Sequence, residues 1–304
     1  MKEIEKWLSY HIFCHNLMYH DSIICTLNNW ASKEGITCFF FIRYWEGGPH
    51  IRFRIKTAES SNKDYYQILS DLLDSELSSS NVNVTLTKEQ YYKGHKLDGE
   101  KIPLKNLPWY NNNSIVSIPY VRENERYGGY EVIEKAESVF YHSSQLVSTM
   151  LEGCMNCHVM IRILFYIHTY EQVKTAITDK KIDFDFEQFY ANCFSYWNKL
   201  YDLKNESYIA DIITSIEHSF EVKEEKIKTV FSLINPEMRD SFITNLIEYL
   251  EEVYQLRGKK MMRSVLFSQM HMFANRLGIP IEYECAIYGY YHTKTSTATS
   301  RKGV

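Results

Sequence analysis

The sequence predicts an α+β fold, with a mixed β-sheet in the N-terminal half and a largely helical C-terminal half. Three observations carry this. Residues 38–56 read as a β-hairpin, residues up to about 125 alternate between strand-like, helical and loop-like stretches, and from residue 130 onward apolar residues recur mainly at helical spacing. A mixed half that holds the strands, followed by a helical half, points to α+β.

The elements follow in order. An apolar opening, WLSYHIFCHN, precedes a helical stretch around 21–33. Residues 38–45 are rich in aromatic and β-branched side chains, Glu46-Gly47-Gly48-Pro49 supplies turn chemistry, and 50–56 alternates strictly. Period two then puts His50, Arg52, Arg54 and Lys56 on one face and Ile51, Phe53 and Ile55 on the other. Residues 62–79 have apolar positions at helical spacing, and 81–90 reads as another strand. The Asn- and Pro-containing segment 101–119 is loop-like, with an extended strand near its end. Gly128-Gly129 marks a turn before a helix over 130–151. Further helices are expected at 158–176, 186–202, 206–219, 223–233, 236–256 and 259–276, with breaks at Asn205, Asn235 and Gly258. The last residues are small and polar and read as a flexible tail over about 293–304. No repeat or linker is visible, and length allows one large domain or two moderate ones.

Composition narrows the function classes. The chain has 304 residues, 45% of them hydrophobic and 15% aromatic, which excludes disorder. With 34 Lys+Arg against 38 Asp+Glu, a formal net charge of -4 argues against direct nucleic-acid binding through bulk positive charge. Any anion site must be local. The longest apolar runs fall short of a membrane span, and MKEIEKWLSYHIF has no signal core, so a cytoplasmic protein is expected. Seven cysteines without framework spacing then read as free thiols, with no disulfides.

CMNCH at 154–158 matches the C-x-x-C-H pattern of haem attachment, but that chemistry belongs to exported proteins. Cys154 and Cys157 read instead as small apolar packers on one helix face. A zinc site would need a second ligand pair at compact spacing, which the other cysteines do not provide. No phosphate-binding, dinucleotide-binding or nucleophile-elbow motif is present. No cofactor and no metal are therefore expected.

Three polar features differ in kind. His50, Arg52 and Arg54 side by side on a strand repel one another unless something anionic lies over them; otherwise they are an ordinary solvated strand face. The cluster Glu123-Asn124-Glu125-Arg126-Tyr127-Gly128-Gly129 concentrates charge before a helix, where simple N-terminal capping would also explain it. SVLFSQMHMFANRLG, residues 264–278, sets His271 in an apolar helical context, where a satisfied core histidine is the plain alternative to a base.

Taken together, FIRYWEGGPHIRFRI, RENERYGG leading into EKAESVFYHSS, and MHMFANRL resemble the glutamate-elimination domain of class I lanthipeptide dehydratases, the SpaB C-terminal or thiopeptide-type bacteriocin biosynthesis domain. The resemblance runs from Trp7 to about Tyr290, which implies a single domain over 1–304. It implies that the three motifs line one pocket. It also implies a lyase that expels glutamate from glutamylated Ser or Thr of a ribosomally made precursor peptide, leaving dehydroalanine or dehydrobutyrine. The family's paired strand arginines fall on Arg52 and Arg54, its glutamate and arginine spaced by three on Glu123 and Arg126, and its histidine before N-R-L on His271. Such an enzyme needs a base for the Cα proton, for which His271 is the first choice, and cationic groups for carboxylates or developing charge. A separate tRNA-dependent glutamylation protein is the implied partner, since the chain is too short to hold that domain. The same fold also serves as thiopeptide pyridine synthase, a formal 4+2 cyclase whose members generally depart from the elimination residues. A noncatalytic precursor-peptide-binding scaffold is the third reading.

Overall fold

The computed structural model describes residues 5–302 apart from 81–85, 94, 96, 98–99, 101, 202, 204–205, 223–227, 229–231 and 233–234. Two compact units emerge, Met1–Arg122 with Phe140–Asn156, and Glu123–Val139 with Cys157–Val304.

The first unit contains β1 (Glu5–Phe13), α1 (His20–Lys33), β2 (Phe39–Tyr44), β3 (His50–Ala58), α2 (Tyr65–Ser80), α3 (Lys88–Lys93), β4 (Ser114–Ser117) and most of α4 (Ile133–Gly153). Its sheet has the order β2-β3-β1-β4, and every named pairing is antiparallel, where a mixed sheet was expected. The hairpin forms as the pattern requires, with Tyr44 opposite His50 and Phe39 opposite Ile55. Gly47 and Gly48 turn it at φ 93° and 108°. Glycine is needed there for a second reason, because a Cβ on Gly47 would lie 2.7 Å from the Tyr110 ring and one on Gly48 2.9 Å from His15 Nε2. Ile51, Phe53 and Ile55 are buried beneath α1, where Trp30 meets Phe53 edge to face at 6.4 Å.

β1 was not foreseen as a strand. Ser9 and His11 alternate with Leu8, Tyr10 and Ile12 along it, and pairing with β3 and β4 buries Ser9 to Phe13 without interruption. The strand expected over 81–90 is corrected in its last part. Residues 81–85 lie outside the described residues, and Lys88–Lys93 is helical. Thr87 and Gln90 form a reciprocal capping box, each backbone N–H donating to the other's side chain at 3.0 and 3.2 Å, which starts a helix where a strand was read.

The second unit is helical: α5 (Val159–Asp179), α6 (Phe186–Tyr201), α7 (Glu206–Val222), α8 (Pro236–Leu277) and α9 (Ile281–Lys302), with the first turns of α4. α9 packs on α5, α6 and α7, and α5 packs on α8. The expected break at Asn235 is the N-cap of α8, its side chain accepting from Glu237 N. The break at Gly258 is a kink, with φ 78° and ψ 177° inside the long helix. Asn205 and most of the helix expected over 223–233 lie outside the described residues. α9 runs through Lys302, where composition suggested a frayed tail. Thr293 and Thr295 keep their hydroxyls on the carbonyls of Gly289 and Tyr291 one turn back, so small polar residues are accommodated in helix.

Cys154 and Cys157 are not in a helix, contrary to the reading of CMNCH; they lie in the turn and extended stretch between α4 and α5. His158 caps α5, its Nδ1 accepting from Met160 N at 3.2 Å. All seven cysteines are free. Among the described residues, no helix is long and apolar enough to cross a membrane.

Candidate functional site

In the first unit, antiparallel register decides what surrounds the arginine pair. Arg52 lies between His11 on β1 and Ile42 on β2, Arg54 between Ser9 and Phe40, and His50 between Phe13 and Tyr44. Directly opposed residues share a face, so these side chains form one patch. The Arg52 guanidinium lies 3.4 Å from the centroid of the Tyr44 ring and 3.7 Å from the Glu46 carboxylate. Arg54 lies over Tyr120 at 4.4 Å and Phe40 at 5.2 Å. Aromatic faces are electron-rich, so they hold guanidinium charge without neutralising it.

The histidines answer the expected repulsion by staying uncharged. His50 is fully buried and pushed down to about 3, by burial first and also by Arg52. Its Nδ1 lies 2.8 Å from Gly48 O. A carbonyl only accepts, so Nδ1 carries the proton and Nε2 accepts from Arg52 Nε at 3.4 Å. His11 stacks on His50 at 4.9 Å and is pushed down to about 2 by burial, His50 and the two arginines. The patch is therefore two guanidiniums and two neutral imidazoles with the Glu46 carboxylate 3.7 Å from Arg52, and guanidiniums are suited to carboxylates.

In the second unit, the segment before α4 is a tight turn. Tyr127 N donates to the carbonyls of Glu123 and Asn124, and Gly129 N to Asn124 O at 2.8 Å. Gly128 and Gly129 have φ 91° and 115°, and a Cβ on Gly129 would lie 2.7 Å from both Arg257 Nη2 and Glu131 Oε2. The turn is pinned from α8, where Arg257 Nε donates to Gly128 O at 3.2 Å and the Tyr249 hydroxyl donates to Tyr127 O. This presents Glu123 and Arg126 at the surface, joined at 3.0 Å. Arg126 Nε also donates to Ser268 Oγ on α8 at 3.5 Å. Ser268 is one helical turn before His271, so Glu123, Arg126 and His271 belong to one neighbourhood of this unit.

His271 is partly open, with 17% of its side chain exposed, and its Nδ1 lies 2.8 Å from Glu284 Oε2 on α9. The Trp197 ring of α6 stands 5.0 Å away, and Phe267, one turn earlier, meets both Tyr196 and Trp197 at 5.4 Å. The plain alternative of a satisfied core histidine is half right: one nitrogen is engaged in the interior, while the ring reaches solvent. Among the described residues, no group of three or more His, Cys, Asp or Glu side chains could hold a metal ion.

Several participants escaped the sequence reading. Tyr44 and Ser268 could have been found, from hairpin register and from the i, i+3 spacing to His271. His11, Tyr120, Trp197 and Glu284 carried no signal, because only tertiary packing brings them to the arginines or the imidazole.

Comparison with known proteins gives a consistent picture. The solved structures that resemble the chain include the pyridine synthase TbtD from thiomuracin biosynthesis, at 14% identity and TM-score 0.65 over 95% of this chain and 97% of that one. The tRNA-dependent lantibiotic dehydratase MibB from Microbispora sp. 107891 matches at 15% identity and TM-score 0.52, over 97% of this chain but 28% of its own. TsrL matches at 12% identity and TM-score 0.56 over 96% of both chains. At such identities the likeness is one of fold. No curated protein matches. The family model described as lantibiotic biosynthesis dehydratase C-term matches residues 7–295, nearly the whole chain, and the protein therefore belongs to that family.

Proposed function

We propose that the protein eliminates glutamate from glutamylated Ser or Thr of a ribosomal precursor peptide, the glutamate having been attached by a separate tRNA-dependent protein. The observation that carries this reading is the presence of all five expected elimination residues, Arg52, Arg54, Glu123, Arg126 and His271, in a chain of this family.

The chemistry assigns them roles. The substrate loses its Cα proton to a base, the freed electron pair becomes the Cα–Cβ double bond, and the Cβ–O bond breaks as glutamate departs as a carboxylate. His271 takes the proton. Arg52, Arg54 and Arg126 hold the glutamyl carboxylates or the charge developing on the adjacent amide carbonyl, as guanidinium forks do well. Glu123, paired with Arg126 at 3.0 Å, orients that guanidinium.

A second reading, the 4+2 cyclase, draws support from TbtD, which matches end to end with the TM-score of 0.65. One experiment separates the two. The purified chain is offered a synthetic glutamylated Ser peptide and, separately, a peptide bearing two dehydroalanines, with products read by mass spectrometry. Elimination yields dehydroalanine from the first, and His271→Ala or Arg52→Ala slows it about 10²–10⁴-fold, the usual worth of a lost proton-transfer group or oriented charge. If the glutamyl ester is returned intact while the second peptide gains a six-membered nitrogen heterocycle, the cyclase reading replaces elimination. If neither is turned over, the chain is a peptide-binding scaffold.

A further inference from the structure

We propose that Glu284 is a positioning residue for His271, holding its Nδ1–H so that Nε2 faces outward as the proton acceptor. The inference rests on the proposed role of His271 as the base. It starts from the burial of Glu284, which sits in the first turn of α9 with none of its surface exposed. A carboxylate taken fully out of water costs several kcal/mol unless donors or a cation satisfy it. Its Oε2 meets His271 Nδ1 at 2.8 Å, and among the described residues its buried Oε1 has no hydrogen-bond partner.

Among the described residues, the cationic partner seen on the Glu284 carboxylate is His271. The ionisable groups that feel the carboxylate are Tyr166 on α5, Cys193 on α6, and Cys285 and Tyr288 on α9. Burial is the largest cause at all four and the Glu284 charge adds to it, second at Tyr166, Cys193 and Cys285 and after Tyr166 and Cys193 at Tyr288, so they stay protonated and neutral. The imidazole is the group in position to compensate Glu284. An ionised carboxylate only accepts, so the shared proton belongs to Nδ1 and the neutral ring is the Nδ1–H tautomer. The Trp197 ring packs beside the imidazole at 5.0 Å. When Nε2 takes a proton, the new imidazolium lies directly on a carboxylate that was already in place, with no reorganisation. A carboxylate behind a catalytic imidazole does the same in serine hydrolases, on an unrelated fold.

The test has two arms. In the first, ¹⁵N-labelled histidine in the intact protein is examined by long-range ¹H–¹⁵N NMR without substrate. The expected result is an Nδ1–H tautomer for His271 in the wild type and in Glu284→Asp, and a mixed or Nε2–H population in Glu284→Gln. In the second, elimination from the glutamylated peptide is measured. Glu284→Gln should lower kcat by about 10²–10⁴-fold with little change in KM, and Glu284→Asp should recover part of it. A wild-type Nε2–H tautomer overturns the proposal whatever the variants do, including a Gln variant that fails to fold. So does a folded Gln variant whose tautomer and kcat stay within twofold of wild type. If the wild type shows the Nδ1–H tautomer and Glu284→Gln disturbs it, but no elimination is seen, Glu284 still positions His271 and it is the elimination reading that fails.

Discussion

Mild acid should destabilise the first unit, because its buried histidines are folded in their neutral form. His11, His20 and His50 are 5%, 2% and 0% exposed, and their folded values are pushed down to about 2, 4 and 3. Burial is the largest cause at each, reinforced by Arg52 at His11 and His50 and by Arg43 at His20. In the unfolded chain each titrates near 6.5, so it is about one-tenth protonated at pH 7.5 and about nine-tenths at pH 5.5. The native rings take up almost nothing over that interval. The unfolded state therefore binds more protons, and stability, complete above pH 6.5, is lost as pH falls below it toward the folded values. Integrated from pH 7.5 to 5.5, the loss is about 1.4 kcal/mol per ring, roughly 4 kcal/mol for three. This is a large fraction of an ordinary domain's stability. Urea unfolding of the full chain, followed at both pH values with a probe in the first unit, measures it. Carboxylates barely titrate in this window, and His15 and His142 of the same unit, also held down chiefly by burial, add to the difference. His20→Gln should recover about 1.4 kcal/mol of the difference between the two pH values, whatever it does to stability at pH 7.5. Equal stability at pH 7.5 and 5.5, or an unchanged difference in His20→Gln, would refute the reasoning.

Two further outcomes are expected. Gly129→Ala should lower stability of the second unit by about 1–3 kcal/mol in thermal unfolding, since φ is 115° and the new Cβ would displace the Arg257–Glu131 ion pair. Gly258→Ala, at φ 78° but with open space around it, should cost less, and the reverse order would contradict the assignment of Gly129 to a packed turn. Among the cysteines, burial holds Cys14 up and pushes Cys25 and Cys285 up to about 12, so iodoacetamide at pH 8 should alkylate the partly exposed Cys154 and Cys157 well before them. Peptide mapping after brief exposure reads the order, and early labelling of Cys25 would count against its burial.

Local pattern carried much of this protein. The hairpin, its glycine turn and the alternating face of Arg52 and Arg54 were legible because strand periodicity and φ > 0 chemistry are properties of a few adjacent residues. The same holds for the helix breaks at Asn235 and Gly258. Where local rules competed, the reading failed: Thr87 and Gln90 cap a helix in a stretch of β-formers, and central β1 was passed over although Ser9 and His11 alternate with Leu8, Tyr10 and Ile12. Tertiary structure alone decided the rest. Whether His11 and His50 are charged depends on burial and on guanidiniums brought beside them by strand pairing. That His271 meets the buried Glu284 carboxylate depends on the next helix, which brings the two together across 13 positions of sequence. Burial and long-range electrostatics are set by chain segments that meet only in the fold, so no window of sequence contains them.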